Sequence, residues 1–126
     1  MLPLAVKKNK FGQRVADISV TEHYRQIEEE VLEAHENAVI SDHELKKTQE
    51  HKDTFNSTSA LVIYKARQAE SKNKIQLYKK FEAEELADII TACITRLEII
   101  GYDAEKRDKL YKAVNDKNRK RGYLEE

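Results

Sequence analysis

One cysteine, one proline, three glycines and no tryptophan are spread over 126 residues. Each scarcity excludes something. The lone Cys93 rules out a disulfide within the chain, and with only four scattered histidines there is no Cys/His cluster for structural zinc. A reducing cytoplasm is the natural setting. The glycines stand too far apart to form a phosphate-cradling loop. Lysine plus arginine equals aspartate plus glutamate at 23 each, so no global field draws the chain to nucleic acid or to an anionic membrane. Phosphates would have to be bound locally. From Met1 to Lys10 there is only a scrap of apolar sequence before Lys7, Lys8 and Lys10, too short for a signal or a membrane span.

What is present is charge and helix-forming sequence. Charged residues make up 37% of the chain and hydrophobic ones 40%, with Ala, Glu, Lys, Leu and Ile prominent, which predicts an all-α protein with a bundle of four to five helices. Residues 1–18 lack a sustained period and read as an N-terminal arm turning at Phe11-Gly12, and 19–126 read as a single helical domain. Ser19-x-x-Glu22 fits a capping box opening a helix that runs to about Val39. Ser41 or Asp42 would cap a second helix, Glu44 to about Phe55, and Asn56-Ser57-Thr58-Ser59 would break the chain. A third helix spans Ala60–Ala69 and Glu70–Lys74 connects it to a fourth. That one ends at Ile100 with Gly101 as a left-handed cap. Asp103 caps the last helix, which turns Leu110, Tyr111 and Val114 inward and ends in the basic segment 117–121.

At roughly 100° per residue, Val20, Tyr24, Ile27, Val31, Ala34 and Ala38 form one apolar face, with Gln26, Glu30, Glu33 and Asn37 in a row beside it. The later helix repeats the offset. Leu86, Ile89, Ile90, Cys93, Leu97 and Ile100 make its stripe, and Glu85, Asp88, Ala92, Thr95 and Ile99 the flanking row. Cys93 is thereby expected to be a core thiol. Six acidic pairs three residues apart occur in the chain, so spacing alone proves little. Position discriminates, because the Glu85/Asp88 row continues through Ala92 and Ile99 and is expected to face protein. Side-by-side packing would bring Glu30, Glu33, Glu85 and Asp88 together, and crowded carboxylates require protonation, partners or metal.

Ligand type narrows the metal. A ferritin-like diiron bundle uses Glu-x-x-His twice, and none of His23, His35, His43 or His51 has Glu three residues before it. An all-oxygen site remains, suited to Mg²⁺ or Mn²⁺ with a phosphate-bearing substrate completing the shell. Gln26 shares the row of Glu30 and Glu33 and is a candidate to face substrate. Phe11, Phe55, Tyr64, Tyr78 and Phe81 are available to stack a base, although core packing is the commoner fate.

Three segments carry a resemblance: Gln26-Ile27-Glu28-Glu29-Glu30-Val31-Leu32-Glu33-Ala34, Glu84-Glu85-Leu86-Ala87-Asp88-Ile89-Ile90, and Asn118-Arg119-Lys120-Arg121-Gly122-Tyr123. In this order the chain resembles the all-α nucleoside triphosphate pyrophosphohydrolases, MazG-like proteins and dimeric dUTPases among them. The resemblance implies Mg²⁺ ligation by Glu30, Glu33, Glu85 and Asp88. It further implies that Glu29 orients the site or activates water, and that Asn118 and Arg121 meet phosphate oxygens. It departs from the family in two places: the stretch 41–80 is longer than in compact members, and Val114 stands where a lysine is common, leaving Lys112 or Lys117 to serve. The implied activity is Mg²⁺-dependent hydrolysis of a nucleoside triphosphate to monophosphate and pyrophosphate by a homodimer or homotetramer. Phosphoribosyl-ATP pyrophosphatase chemistry is the alternative within enzymes, and a non-catalytic helical interaction protein the alternative outside them.

Overall fold

A computed structural model describes residues 4–50 and 58–124, with side chains described over 4–48 and 61–124. Among the described residues there are three α-helices, α1 Val20–Glu50, α2 Thr58–Ile99 and α3 Ala104–Lys120, preceded by a short 3-10 turn, Val15–Asp17. The chain is all-helical as expected, but with three helices instead of four to five. The expected ends do not interrupt α1 because their side chains are satisfied inside a continuing helix. Ser41 Oγ donates back to the Ala38 carbonyl at 3.1 Å, and Asp42 pairs with Lys46 one turn on at 3.1 Å. A hydroxyl or carboxylate used this way no longer competes for the backbone as a cap. Through Glu70–Lys74 no Gly or Pro stands to stop α2, and Ser71 turns its hydroxyl across to Glu44 instead of to its own backbone. The expected end at Phe55 and the first half of the break, Asn56-Ser57, lie outside the described residues, while Thr58 and Ser59 are already helical in α2 and do not break the chain.

The described contacts divide into two compact units. One comprises Val20–Ile89, a hairpin of α1 against the first part of α2. Its register is antiparallel: Glu44 meets Ser71 and Lys74, and going back along α1 to Glu33 and Glu30 the partner advances along α2 to Glu85. The covered line of α1 runs through His23, Ile27, Glu30, Ala34, Asn37, Ser41, Glu44 and Thr48. That of α2 runs through Tyr64, Gln68, Ser71, Ile75, Tyr78, Glu82, Glu85 and Ile89. Steps alternating between four and three residues are those of a coiled-coil seam, here with an unusually polar filling.

The apolar faces expected as core are largely outside. Val20, Tyr24 and Val31 on α1, and Leu86 and Ile90 on α2, are each about half exposed, and Cys93 is exposed instead of a core thiol. The run Leu61-Val62-Ile63 is likewise exposed, with only Tyr64 buried. Long helices in a two-element hairpin can cover only one line each. The line covered here runs between the expected apolar faces and the rows beside them, taking Ile27, Ala34 and Ile89 from the former and Glu30, Asn37 and Glu85 from the latter.

The second unit joins the arm, up to Ser19, to the chain from Ile90 onward. Val15 and Ile94 are buried there, as is Thr95 at 2% exposure. Thr95 Oγ1 accepts from the Val6 amide at 3.0 Å and donates to the Thr91 carbonyl at 2.8 Å. Gly101, at φ +99°, closes α2: the Tyr102 amide reaches the Leu97 carbonyl and the Gly101 amide that of Glu98, the paired bonds of a Schellman end. Asp103 then caps α3 by accepting from the Lys106 amide at 2.9 Å. Leu110 and Tyr111 are half-buried, while Val114 is exposed, against expectation. No helix among the described residues is long and apolar enough to cross a membrane.

Candidate metal centre

Glu30 and Glu33 sit one turn apart on α1, and Glu85 and Asp88 one turn apart on α2, inside the same unit. The antiparallel register draws the pairs together. Burial, then the charge of Glu33 and a hydrogen bond to it, then the charges of Asp88 and Glu30, raise the Glu85 carboxyl above its ordinary value. The other three acids identified in the sequence therefore all bear on Glu85. Glu30 and Glu85 are half-buried, and Glu33 and Asp88 are exposed, so the cluster straddles the edge of the seam. A hydrogen bond between two carboxyl groups requires a proton. The raised value makes Glu85 readier to take up a proton, which would relieve part of the repulsion.

These donors suit a hard divalent cation. Four carboxyls from two rigid helices, without sulfur or imidazole among them, form the oxygen-only set that Mg²⁺ or Mn²⁺ accepts. As the side chains stand, no group of three or more His, Cys, Asp or Glu among the described residues surrounds a cation position. Two of the carboxyls close on each other instead, as uncompensated acids do.

The remaining candidates fall elsewhere. Glu29 is bound by the Arg25 guanidinium, which also holds Glu22 through Nε at 2.8 Å. Arg25 keeps the Glu22 carboxyl far below its usual range, at about 2. Gln26 is half-buried and donates to Glu22 Oε1 at 3.3 Å, so it belongs with this ion-pair ladder and not with the four acids. Lys117, Asn118 and Arg121 belong to the other unit, at the end of α3. Lys117 and Arg121 line a shallow concavity there with Lys120 and Asp116. The carbonyls of this helix end are closed by backbone donors: Arg121 N to Lys117, Gly122 N to Arg119, and Tyr123 N to Asn118. Gly122 takes the left-handed φ of +73° that this closure needs. The Arg121 guanidinium is thus not required to satisfy them. Phe55 lies outside the described residues; Phe11 stands exposed with Lys10 Nζ 5.3 Å from its ring centre, and Tyr78 meets Phe81 edge-on at 5.6 Å.

The residues that sequence reasoning missed are at the opposite end of the hairpin. Glu44, 7% exposed, accepts from Ser71 Oγ at 2.7 Å and pairs with Lys74 at 3.4 Å, and a cavity opens beside it. The four-three alternation through Ser41, Glu44 and Thr48 would have revealed this line had polarity been ignored. No protein-family model, curated protein or solved structure matches the chain.

Proposed function

We propose that the protein is a divalent-metal-dependent nucleoside triphosphate pyrophosphohydrolase of MazG-like type, releasing nucleoside monophosphate and pyrophosphate. The observation that supports this reading is the mutual crowding of Glu30, Glu33, Glu85 and Asp88, strong enough to push Glu85 toward its acid form. A fold gains nothing from such an arrangement alone, since like charges at helical spacing are destabilising. With Mg²⁺ or Mn²⁺ held by these four side chains, the ion would supply charge neutralisation for the phosphate oxygens. The carboxylates position the cation and exclude competing anions. In the hydrolysis a water oxygen bonds to phosphorus, the anhydride bridge breaks, and pyrophosphate leaves with the bridging oxygen. The water proton passes to a carboxylate. Glu29 can take it only after leaving Arg25, so a member of the cluster is the nearer acceptor. Lys117, Asn118 and Arg121 are assigned to the phosphates.

Assembly as a homodimer or homotetramer belongs to the same reading. Its support is the exposure of apolar residues on both helices of the hairpin, Val20, Tyr24 and Val31 on α1 and Leu86 on α2, which a symmetric copy would cover. The same exposure favours the second reading, a non-catalytic interaction protein. Two measurements separate these. A panel of ribo- and deoxyribonucleoside triphosphates with Mg²⁺, together with phosphoribosyl-ATP, is scored for monophosphate and pyrophosphate; orthophosphate as product, or no turnover on any member, rejects the proposed chemistry. Light scattering at micromolar concentration is expected to give a dimer or tetramer mass, and a monomer mass rejects the assembly.

A further inference from the structure

We propose that the cavity beside Glu44 binds a small phosphate-bearing molecule, at a site separate from the acidic cluster and independent of the activity proposed above. It lies about 16 Å farther along α1 than Glu33, at about 1.5 Å of rise per residue. Its volume is about 460 Å³, within the range of pockets that hold small ligands. The seam is short-chained here: Thr48 of α1 and Ser71 of α2 line the space without filling it.

The charges lining the space are unevenly committed. Glu44 spends one oxygen on Ser71 and the other on Lys74, and both contacts hold its carboxyl below the ordinary value. It is a fixed anion already balanced. Lys47 on α1 and Arg67 on α2 also line the cavity, with Glu70 the one other carboxylate. Among the described residues neither Lys47 nor Arg67 forms a salt bridge, although the Lys47 charge also helps hold the Glu44 carboxyl down. A guanidinium fork on one helix and an ammonium on the other make a clamp for a tetrahedral dianion, which accepts two bonds from the fork and one from the lysine. The buried Tyr64 forms a wall for an organic portion, its hydroxyl accepting from Gln68 Nε2 at 2.8 Å while Thr48 Oγ1 donates to the Glu44 carbonyl.

The test uses the whole chain in EDTA, so that the acidic cluster holds no cation, with ribose 5-phosphate, inorganic phosphate and acetate as probes in calorimetric titrations. Saturable binding of ribose 5-phosphate is expected, with inorganic phosphate weaker and acetate absent. Arg67→Gln and Lys47→Gln are each expected to weaken it by about tenfold or more, the loss of one charge-assisted contact, with helical circular dichroism unchanged. Arg121→Gln should leave it intact. Backbone amide shifts on titration should concentrate at 44–48 and 64–74, which localises the site even if a variant folds poorly. The proposal is overturned by titrations without saturation, by equal affinity in Arg67→Gln, by acetate binding as well as phosphate, or by loss only in Arg121→Gln.

Discussion

Two glutamates in one helical hairpin meet opposite fates. Glu44 lies in the seam with a serine hydroxyl and a lysine ammonium on its oxygens, and its carboxyl is held down. Glu85 lies in the same seam toward the other end, and burial together with Glu33, Asp88 and Glu30 pushes its carboxyl up. The backbone and the heptad position are the same kind in both. What differs is whether the protein supplies the counter-charge. An acid whose partners are built in contributes to the fold, while an acid crowded by other carboxyls gains stability when a proton or a cation joins it. The contrast separates a structural carboxylate from a candidate ligand more sharply than burial does, since Glu44 is the more buried of the two.

The strongest test removes the crowding itself. Replacing Glu33 or Glu85 by glutamine should lower Mg²⁺-dependent turnover by ~100-fold or more, since loss even of residues that only orient metal ligands costs 10–100-fold. The metal-free protein should melt no lower than the parent, because a repulsion has been relieved. Loss of helical signal in these variants would make the cluster a structural ion network after all. EDTA should abolish turnover, and excess Mg²⁺ should restore it. Arg121 extends the comparison to a cation with no structural duty, the carbonyls of its helix end being closed by backbone donors. Arg121→Ala should weaken substrate or transition-state binding by about 1.5 to 3 kcal/mol with the melting temperature unmoved. Lysine should not restore a bidentate contact. Normal kinetics with a stability loss of about 0.3 to 1 kcal/mol would return Arg121 to a helix-dipole role.

How much of this was legible follows from what each signal measures. The row expected to face protein through Ala92 and Ile99 is covered only in part, since Glu85 and Ala92 are half-buried while Asp88 and Ile99 are exposed. Asp103 and Gly101 could be read because a cap and a left-handed end are local chemistry. The helix count could not, because Ser41, Asp42 and Ser71 carry cap-like side chains whose partners are one turn back, one turn on, or across the hairpin. The seam itself was misplaced because apolar periodicity marks the most hydrophobic line of each helix, and in this hairpin Val20, Tyr24 and Val31 of α1 and Leu86 of α2 are left exposed. Apolar periodicity in one sequence does not distinguish a line that the chain itself covers from one that it leaves exposed.

The structural half of the comparison is tested at Glu44. Glu44→Gln retains one acceptor for Ser71 but loses the charge that binds Lys74. A fall in melting temperature of about 4 °C is expected, the scale of one modest contact in a domain of this size, with turnover per folded molecule unchanged. An equal fall in Lys74→Met would assign the effect to the pair. If Glu44→Gln instead eliminates turnover while the melting point holds, the two ends of the hairpin are not divided between structure and chemistry.

The smallest effect is the most diagnostic, because the two glutamates impose opposite slopes on stability against pH. For Glu85 the folded value lies above the unfolded one. As pH falls through that raised value the folded state takes a proton the unfolded chain does not yet hold, so stability rises, and the gain is complete near the unfolded value of 4.5. For Glu44 the folded value is depressed, so its contribution is intact above 4.5 and is lost as pH falls through the lower folded value. Melting in EDTA should therefore pass through a maximum on the mildly acidic side. Glu85→Gln should remove the rise on the alkaline flank, a change of ~0.5 kcal/mol, as for neighbouring like charges on a helix surface. Glu44→Gln should flatten the acidic flank and leave the other alone. Millimolar Mg²⁺ should raise the melting temperature more at pH 8 than at pH 5, because cation and proton compete for the same oxygens. A profile with one slope throughout, unchanged by Glu85→Gln and by Mg²⁺, would mean that Glu85 shares no proton with Glu33 and would remove the observation on which the metal reading stands.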